Sequence, residues 1–289
     1  MTAYKPSGFV ASTSQRRHED VTIQRHVPGA HARASDTLPV EEPLEIRLAG
    51  NNFEEQVPAI TMRTPGQDDE LALGFLFSEG VIRNAADVID LAHCRPPAEG
   101  GFHNSIRVTL AAHNTFDPAA IERRFHTTSA CGVCGRTSID GVVDRQFAPL
   151  TDGFSMTQSA LMQLPGQLRE RQAEFSRTGG IHAAGLVDAT GAITIVREDI
   201  GRHNAVDKVI GACLLQDLIP LSSHALLLSG RAGFELVQKA VTAGIECVAS
   251  IGAPSSLSAQ LAEESGLTLA GFVSEAGFNM YSHPRRVLR

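Results

Sequence analysis

A chain of 289 residues has room for two domains or one large one, and its 43% hydrophobic content is ordinary for a globular protein with a sizeable core. The formal net charge of −7 and pI near 5.9 argue against non-specific binding to nucleic acid or to an acidic membrane, while leaving room for a local basic pocket. Five cysteines are an odd number, unlike a disulfide framework, and favour a reducing compartment; no run approaches the ~18 apolar residues of a membrane span.

Residues 1–36 are rich in Ser, Thr, Arg and His with no continuous apolar stretch, and are expected to be a disordered N-terminal segment. Arg16-Arg17 is not followed by the hydrophobic region of an export signal, so a cytoplasmic protein is expected. Folding is expected to begin near Leu38. Leu44, Ile46 and Leu48 alternate with Glu45 and Arg47 as in a half-buried strand, Gly50-Asn51 signals a turn, and a second strand over 56–63 completes a hairpin. Pro65-Gly66 stops that strand, Asp68-Asp69 can cap a helix running to Gly80, and a strand over 105–110 and a helix from Asp117-Pro118 follow. Residues 37–126 thus read as a small α+β domain, with 127–150 a loop or linker.

The second half, 151–289, opens with a helical stretch over 157–175, interrupted at Pro165-Gly166. Strands at 181–187 and 192–197 flank the turn Asp188-Ala189-Thr190-Gly191. Helices at 203–215, 234–243 and 256–264 then alternate with short apolar strands at 225–229, 245–251 and 267–273. Such alternation implies an α/β domain whose mixed sheet is covered by helices on both faces. The order helix, hairpin, three helix–strand units resembles the cytidine deaminase fold. In that family metal ligands stand where this chain has Asp199-Ile200-Gly201-Arg202-His203-Asn204 and Ser229-Gly230-Arg231-Ala232-Gly233, which contain no cysteine; a lone His203 cannot hold a catalytic zinc. Glycine and arginine at a helix start instead suit a phosphate, because unpaired N–H groups and a fixed cation converge there. Asp207 and Lys208, a turn further on, are candidates for a base or ribose and for a phosphate respectively, or else form a solvated ion pair.

The chemistry is concentrated in the run Thr127-Thr128-Ser129-Ala130-Cys131-Gly132-Val133-Cys134-Gly135. Two thiols spaced C-x-x-C and framed by glycines can share chemistry and stay open to a visiting molecule. A closed zinc site needs a second pair, and Cys94, Cys213 and Cys247 are scattered singly. A thioredoxin-like dithiol belongs after the first strand of a βαβ unit, and a zinc deaminase needs a proline before the pair and an upstream H-x-E; Ala130 precedes Cys131 and no H-x-E occurs. Cys213 and Cys247 lie in apolar runs and are expected in the core.

The stretches Glu41 to Ile46, Met62 to Gly66, Glu70 to Gly80, Ser129 to Gly135, Thr178-Gly179-Gly180-Ile181-His182, Glu198 to Lys208 and Tyr281-Ser282-His283-Pro284 together resemble the FdhD/NarQ family of formate dehydrogenase accessory sulfurtransferases. The resemblance implies a cytoplasmic homodimer that takes sulfur from a cysteine desulfurase and passes it to the molybdenum cofactor, as bis-molybdopterin guanine dinucleotide, before its insertion into formate dehydrogenase. It further implies that Cys131 carries the persulfide with Cys134 assisting. The cofactor-binding loop maps onto Phe272, Val273, Ser274, Glu275, Ala276 and Gly277, which carry no basic residue, so the anion is expected to rely on Arg202, His203, Lys208 and Arg231. No zinc is expected. His126 and Arg136 are candidates for lowering the thiol pKa. Two other functions fit the residues: a thiol-disulfide oxidoreductase cycling the cysteine pair, and a non-catalytic cofactor chaperone.

Overall fold

The computed structural model describes residues 16–50, 53–94, 101–117 and 150–289. Its first element is a ribbon of two ten-residue antiparallel strands, β1 (His18–Val27) and β2 (Ala30–Pro39). This corrects the expectation of disorder through residue 36. Alternating Val21 and Ile23 give the strand period, and Val27-Pro28-Gly29-Ala30 supplies a turn in which Gly29 takes the positive φ of 80°.

A four-stranded sheet follows in the order β4-β3-β6-β5, built from β3 (Glu42–Gly50), β4 (Phe53–Arg63), β5 (Val88–His93) and β6 (Ser105–Leu110). Period-two burial of Leu44, Ile46 and Leu48 turns one face of β3 onto helix α1 (Asp68–Ser78), whose first turn carries Asp68, Asp69 and Glu70 against the positive end of its dipole. The helix expected from Asp117-Pro118 and the expected linker over 127–149 lie outside the described residues.

The second unit is a six-stranded mixed sheet, order β13-β12-β11-β10-β8-β9. It comprises β8 (His182–Asp188), β9 (Ile193–Asp199), β10 (His224–Leu228), β11 (Cys247–Ser250), β12 (Thr268–Ser274) and β13 (Gly277–Ser282). β10, β11 and β12 run parallel, while β8–β9 and β12–β13 are antiparallel hairpins. Helices α2 (Gln158–Arg171) and α3 (Ala173–Thr178) precede the sheet; α4 (Arg202–Leu215), α5 (Phe234–Thr242) and α6 (Ser256–Ser265) connect its strands. The expected break at Pro165 does not occur: α2 runs through it, and the chain turns instead at Gln172. A short parallel pair, β7 (Met156–Thr157) with β14 (Val287–Leu288), ties the carboxyl terminus to the start of this unit.

The two units share one core, which runs from Leu44 and Leu76 through Val206 and Ile210 to Leu226 and Leu269. Their junction is the crossing of α1 on α4, and it requires glycine on both helices. A Cβ on Gly74 would stand 1.8 Å from the Asp207 carbonyl oxygen, and one on Gly211 1.8 Å from that of Glu70. Arg197 closes the junction with an ion pair to Glu70.

Candidate functional site

The carboxyl ends of β10, β11 and β12 form one edge, and the loops leaving them are stitched together. Gly252 donates its N–H to the Gly230 carbonyl at 3.0 Å, and its own carbonyl accepts from Phe272 N–H at 3.2 Å. A Cβ on Gly252 would meet Gly230 and the Arg231 nitrogen at 3.0 Å, so a side chain there would push the three loops apart. Phe272 sits at a β-bulge with a positive φ of 54° that sends its ring into solvent.

At this edge α4 and α5 begin, capped at Gly201 and Gly233 with no side-chain hydrogen bond to their first N–H groups. Arg202 and Arg231, the cations placed at helix starts on sequence grounds, both stand here, one half-exposed and the other exposed. Neither has a partner among the described residues. His203 does: its Nε2 lies 2.9 Å from Glu235 Oε2, which fastens the first turn of α4 to that of α5.

Beside α2 and α3, at the residues that follow β10 and β11, opens a cleft of about 570 Å³. Arg169 and Phe175 line one wall, His182 and Ser229 the other, and Ile181 and Ile251 contribute apolar surface. The Arg169 guanidinium lies 4.4 Å from the Phe175 ring centroid, a cation–π contact that leaves a flat, positively charged wall. Phe175 is held there because the Glu198 carboxylate accepts the N–H groups of Glu174 and Phe175 at 3.0 and 2.8 Å. Ser229 Oγ accepts from Ala183 N–H at 2.8 Å, pinning the wall to the start of β8. The His182 ring packs against Gly230, where any Cβ would be 3.3 Å from Nδ1. Burial, then the Arg202 and His203 charges, push its pKa below the usual imidazole value, with Asp199 opposing. His182 is therefore a neutral donor–acceptor inside a cationic rim.

Two sequence-based candidates are corrected. Lys208 does not reach a ligand: its ammonium is fully enclosed, 2.7 Å from Asp199 Oδ2 and donating to the Thr64 carbonyl at 2.9 Å. Asp207 is equally committed, accepting from Lys239 Nζ at 2.7 Å and from Ser78 Oγ at 3.0 Å, and burial raises its pKa. Asp207 belongs to the α1–α4 junction, and Lys208 ties α4 to the end of β9 and to Thr64. Within the stretch 272–277, Val273 is buried in β12, Ser274 Oγ donates to the Gly277 carbonyl at 3.1 Å, and Glu275 and Ala276 form an exposed hairpin turn. Of these six residues, Phe272 is the one stitched directly to the Gly252 loop.

Cys131, Cys134, His126 and Arg136 lie outside the described residues. Cys213 and Cys247 are buried, as their apolar surroundings predict, and burial pushes each thiol up to about 12. Neither is a thiolate near neutral pH. Sequence reasoning missed His182, Ser229, Arg169 and Phe175 as cleft residues; the one signal was Gly179-Gly180 immediately before Ile181-His182.

Residues 39–288 match the model of the FdhD/NarQ family, and the chain belongs to that family. It is 46% identical over 278 residues to a protein of Mycolicibacterium paratuberculosis named sulfur carrier protein FdhD, covering 95% of this chain and 98% of the relative. A Streptomyces coelicolor protein of the same name is 46% identical over 263 residues, with 90% and 92% covered. The fold is similar to the crystal structure of a formate dehydrogenase accessory protein from Desulfotalea psychrophila, with TM-score 0.75 and 25% identity over 94% of this chain and all of that one.

Proposed function

We propose that this protein is a cytoplasmic sulfurtransferase: Cys131 accepts a persulfide sulfur from a cysteine desulfurase and delivers it to the molybdenum cofactor needed by formate dehydrogenase. Its family relatives are named sulfur carriers, and the two buried cysteines with pKa near 12 are unsuited to the task. The paired, glycine-framed C-x-x-C thiols are the reactive candidate over the single Cys94, with Cys134 assisting.

The observation that carries the acceptor side is the pair of helix starts, each opened by glycine, uncapped by any side chain, and furnished with an arginine lacking a partner among the described residues. In an acidic protein this concentrates positive potential where a dinucleotide's phosphates need it. The adjoining cleft, with a flat cationic wall and neutral His182, suits a planar heterocycle with donor and acceptor edges. Bis-molybdopterin guanine dinucleotide has both parts, and in this reading it binds as substrate across Arg202, Arg231 and the cleft.

Mass spectrometry after incubation with a desulfurase and cysteine tests the donor step: the expected result is one added sulfur on Cys131 and no zinc in the native spectrum. A Cys131–Cys134 disulfide with no retained sulfur would favour the oxidoreductase. The acceptor step is tested by titrating guanosine diphosphate. Arg202→Ala and Arg231→Ala are each expected to weaken binding by about 1 to 3 kcal/mol, the loss for a charge-assisted hydrogen bond. Glu275→Ala should leave affinity unchanged or slightly raise it, since it removes a like charge. Parental affinity in both arginine variants would remove the anion from the helix starts.

A further inference from the structure

Helix α3, which carries the aromatic wall of the cleft, is six residues long, and the one residue it buries is a carboxylate, Glu174. A helix of that length does not hold itself together in water. With no apolar side chain of its own fully buried, its place is set by polar contacts at its ends and on Glu174. Within its own unit the Glu198 carboxylate takes the N–H groups of Glu174 and Phe175, and the Gly179 N–H closes on the Phe175 carbonyl at 2.8 Å. The hold on the Glu174 side chain comes from the start of the β1–β2 ribbon, where His18 Nδ1 lies 2.9 Å from Glu174 Oε2.

The rest of the ribbon's root bears on the same wall. Arg17 donates to the Glu198 carbonyl at 3.0 Å, which holds the residue that caps α3, and the Arg17 carbonyl accepts from Val40 N–H at 2.8 Å, which closes the base of the ribbon. Pro39 packs against Gly180, a lining residue of the cleft, where a Cβ would stand 3.3 Å from the proline Cγ. Glu174 and Phe175 are consecutive, so their side chains leave α3 about 100° apart. One reaches the ribbon and the other lines the cleft. A rotation of α3 by about 20° therefore moves the Phe175 ring by roughly 2 Å, a large step beside its 4.4 Å separation from the Arg169 guanidinium.

We infer that His18 is a positioning residue of the cleft: through Glu174 it fixes the rotation of α3, and with it the surface on which a bound heterocycle stacks. The ribbon, which precedes the residues matched by the family model almost entirely, thereby takes part in substrate recognition. This inference rests on the reading of the cleft as the heterocycle site. Without His18 the Glu174 carboxylate, nine-tenths buried, keeps among the described residues the exposed Arg177 alone, at 3.8 Å. A carboxylate so placed turns towards water to be solvated, and the short helix turns with it.

Calorimetric titration of the full chain with guanosine diphosphate and, separately, with inorganic pyrophosphate tests the inference. His18→Ala is expected to weaken guanosine diphosphate binding about three- to tenfold, part of the factor lost with a base–aromatic stack, and to leave pyrophosphate binding unchanged. His18→Asn, whose amide nitrogen falls where Nδ1 stands, should recover most of the loss. Phe175→Ala should weaken guanosine diphosphate binding further, and His18→Ala added to it should cost nothing more, because a residue that acts through the ring has no effect once the ring is gone. The chain contains no tryptophan, so Phe175→Trp places a single fluorophore in the wall, and His18→Ala in that background should shift its emission to the red. Parental guanosine diphosphate affinity in His18→Ala, equal loss of both ligands, an undiminished loss in the Phe175→Ala background, no recovery in His18→Asn, or an unshifted tryptophan emission would each overturn the inference. The two failures are distinguishable. If Phe175→Ala weakens binding while His18→Ala does not, the positioning role alone is lost; if Phe175→Ala binds like the parent, the heterocycle does not lie on this wall and both readings are lost. Sulfur loading of Cys131 is untouched by either result.

Discussion

A Cys131→Ala variant is expected to fold, melt at the parental temperature, and fail completely to restore formate dehydrogenase activity to cells lacking the protein. The change removes one thiol sulfur, whose role in this reading is chemical. Among the described residues the shared core runs from Leu44 to Leu269, with a smaller cluster around Leu161, Ala183 and Val273. Two of the other described cysteines, Cys213 and Cys247, are unsuited to take over. Cys213 and Cys247 are sealed in those clusters with thiols near pKa 12, so their thiolate fraction near neutral pH is of order 10⁻⁵. Cys134→Ala is expected to be milder or equal, since a resolving thiol protects the persulfide but does not carry it. Complementation assayed alongside guanosine diphosphate affinity separates chemistry from binding: Cys131→Ala should bind nucleotide like the parent. Full complementation by Cys131→Ala would end the persulfide reading.

The second half of the chain was legible because its pattern is simple. Short apolar strands such as 225–229 alternate with helices bounded by glycine, and period and punctuation agree. The placement of Arg202 and Arg231 at helix starts was legible for the same reason: a glycine–arginine pair at a strand-to-helix junction has one geometry. Lys208 was misread because α4 is buried nearly all round, from Asn204 to Leu214. Sequence spacing gives a residue's angle on a helix but not which angles face solvent, and here none of that stretch does. The ribbon was masked by composition: 1–36 as a whole is polar, while Val21 and Ile23 with Pro28-Gly29 signal a hairpin locally. The cleft residues come from α2, α3, the Gly179–His182 stretch and the ends of β10 and β11. Only tertiary folding brings them together, so no local pattern announces them.

The buried position of Lys208 makes a prediction opposite to that of a ligand-binding cation. Asp199 stands at the end of β9 as the hub of the α4 start: Oδ2 accepts from Lys208 Nζ at 2.7 Å and Thr64 N–H at 3.2 Å, and Oδ1 from Gly201 N–H at 2.8 Å and Asn204 Nδ2 at 3.0 Å. Burial pulls the Lys208 pKa down while the Asp199 carboxylate opposes it. Asp199→Ala strips the ammonium of its counter-ion and leaves several donors without an acceptor, a change expected to cost about 3 to 5 kcal/mol. For a chain of this size that is a fall of roughly 10 °C in melting temperature. Lys208→Met is expected to cost less, because Asp199 keeps its three nitrogen donors and the methionine side chain fills most of the space. The double variant should be more stable than Asp199→Ala alone, since no uncompensated charge remains. Guanosine diphosphate titration well below the melting transition supplies the contrast: Lys208→Met should lose less affinity than Arg202→Ala while losing far more stability. If Lys208→Met instead melts like the parent and loses nucleotide affinity as Arg202→Ala does, the ammonium faces the ligand and its placement beside Asp199 is wrong.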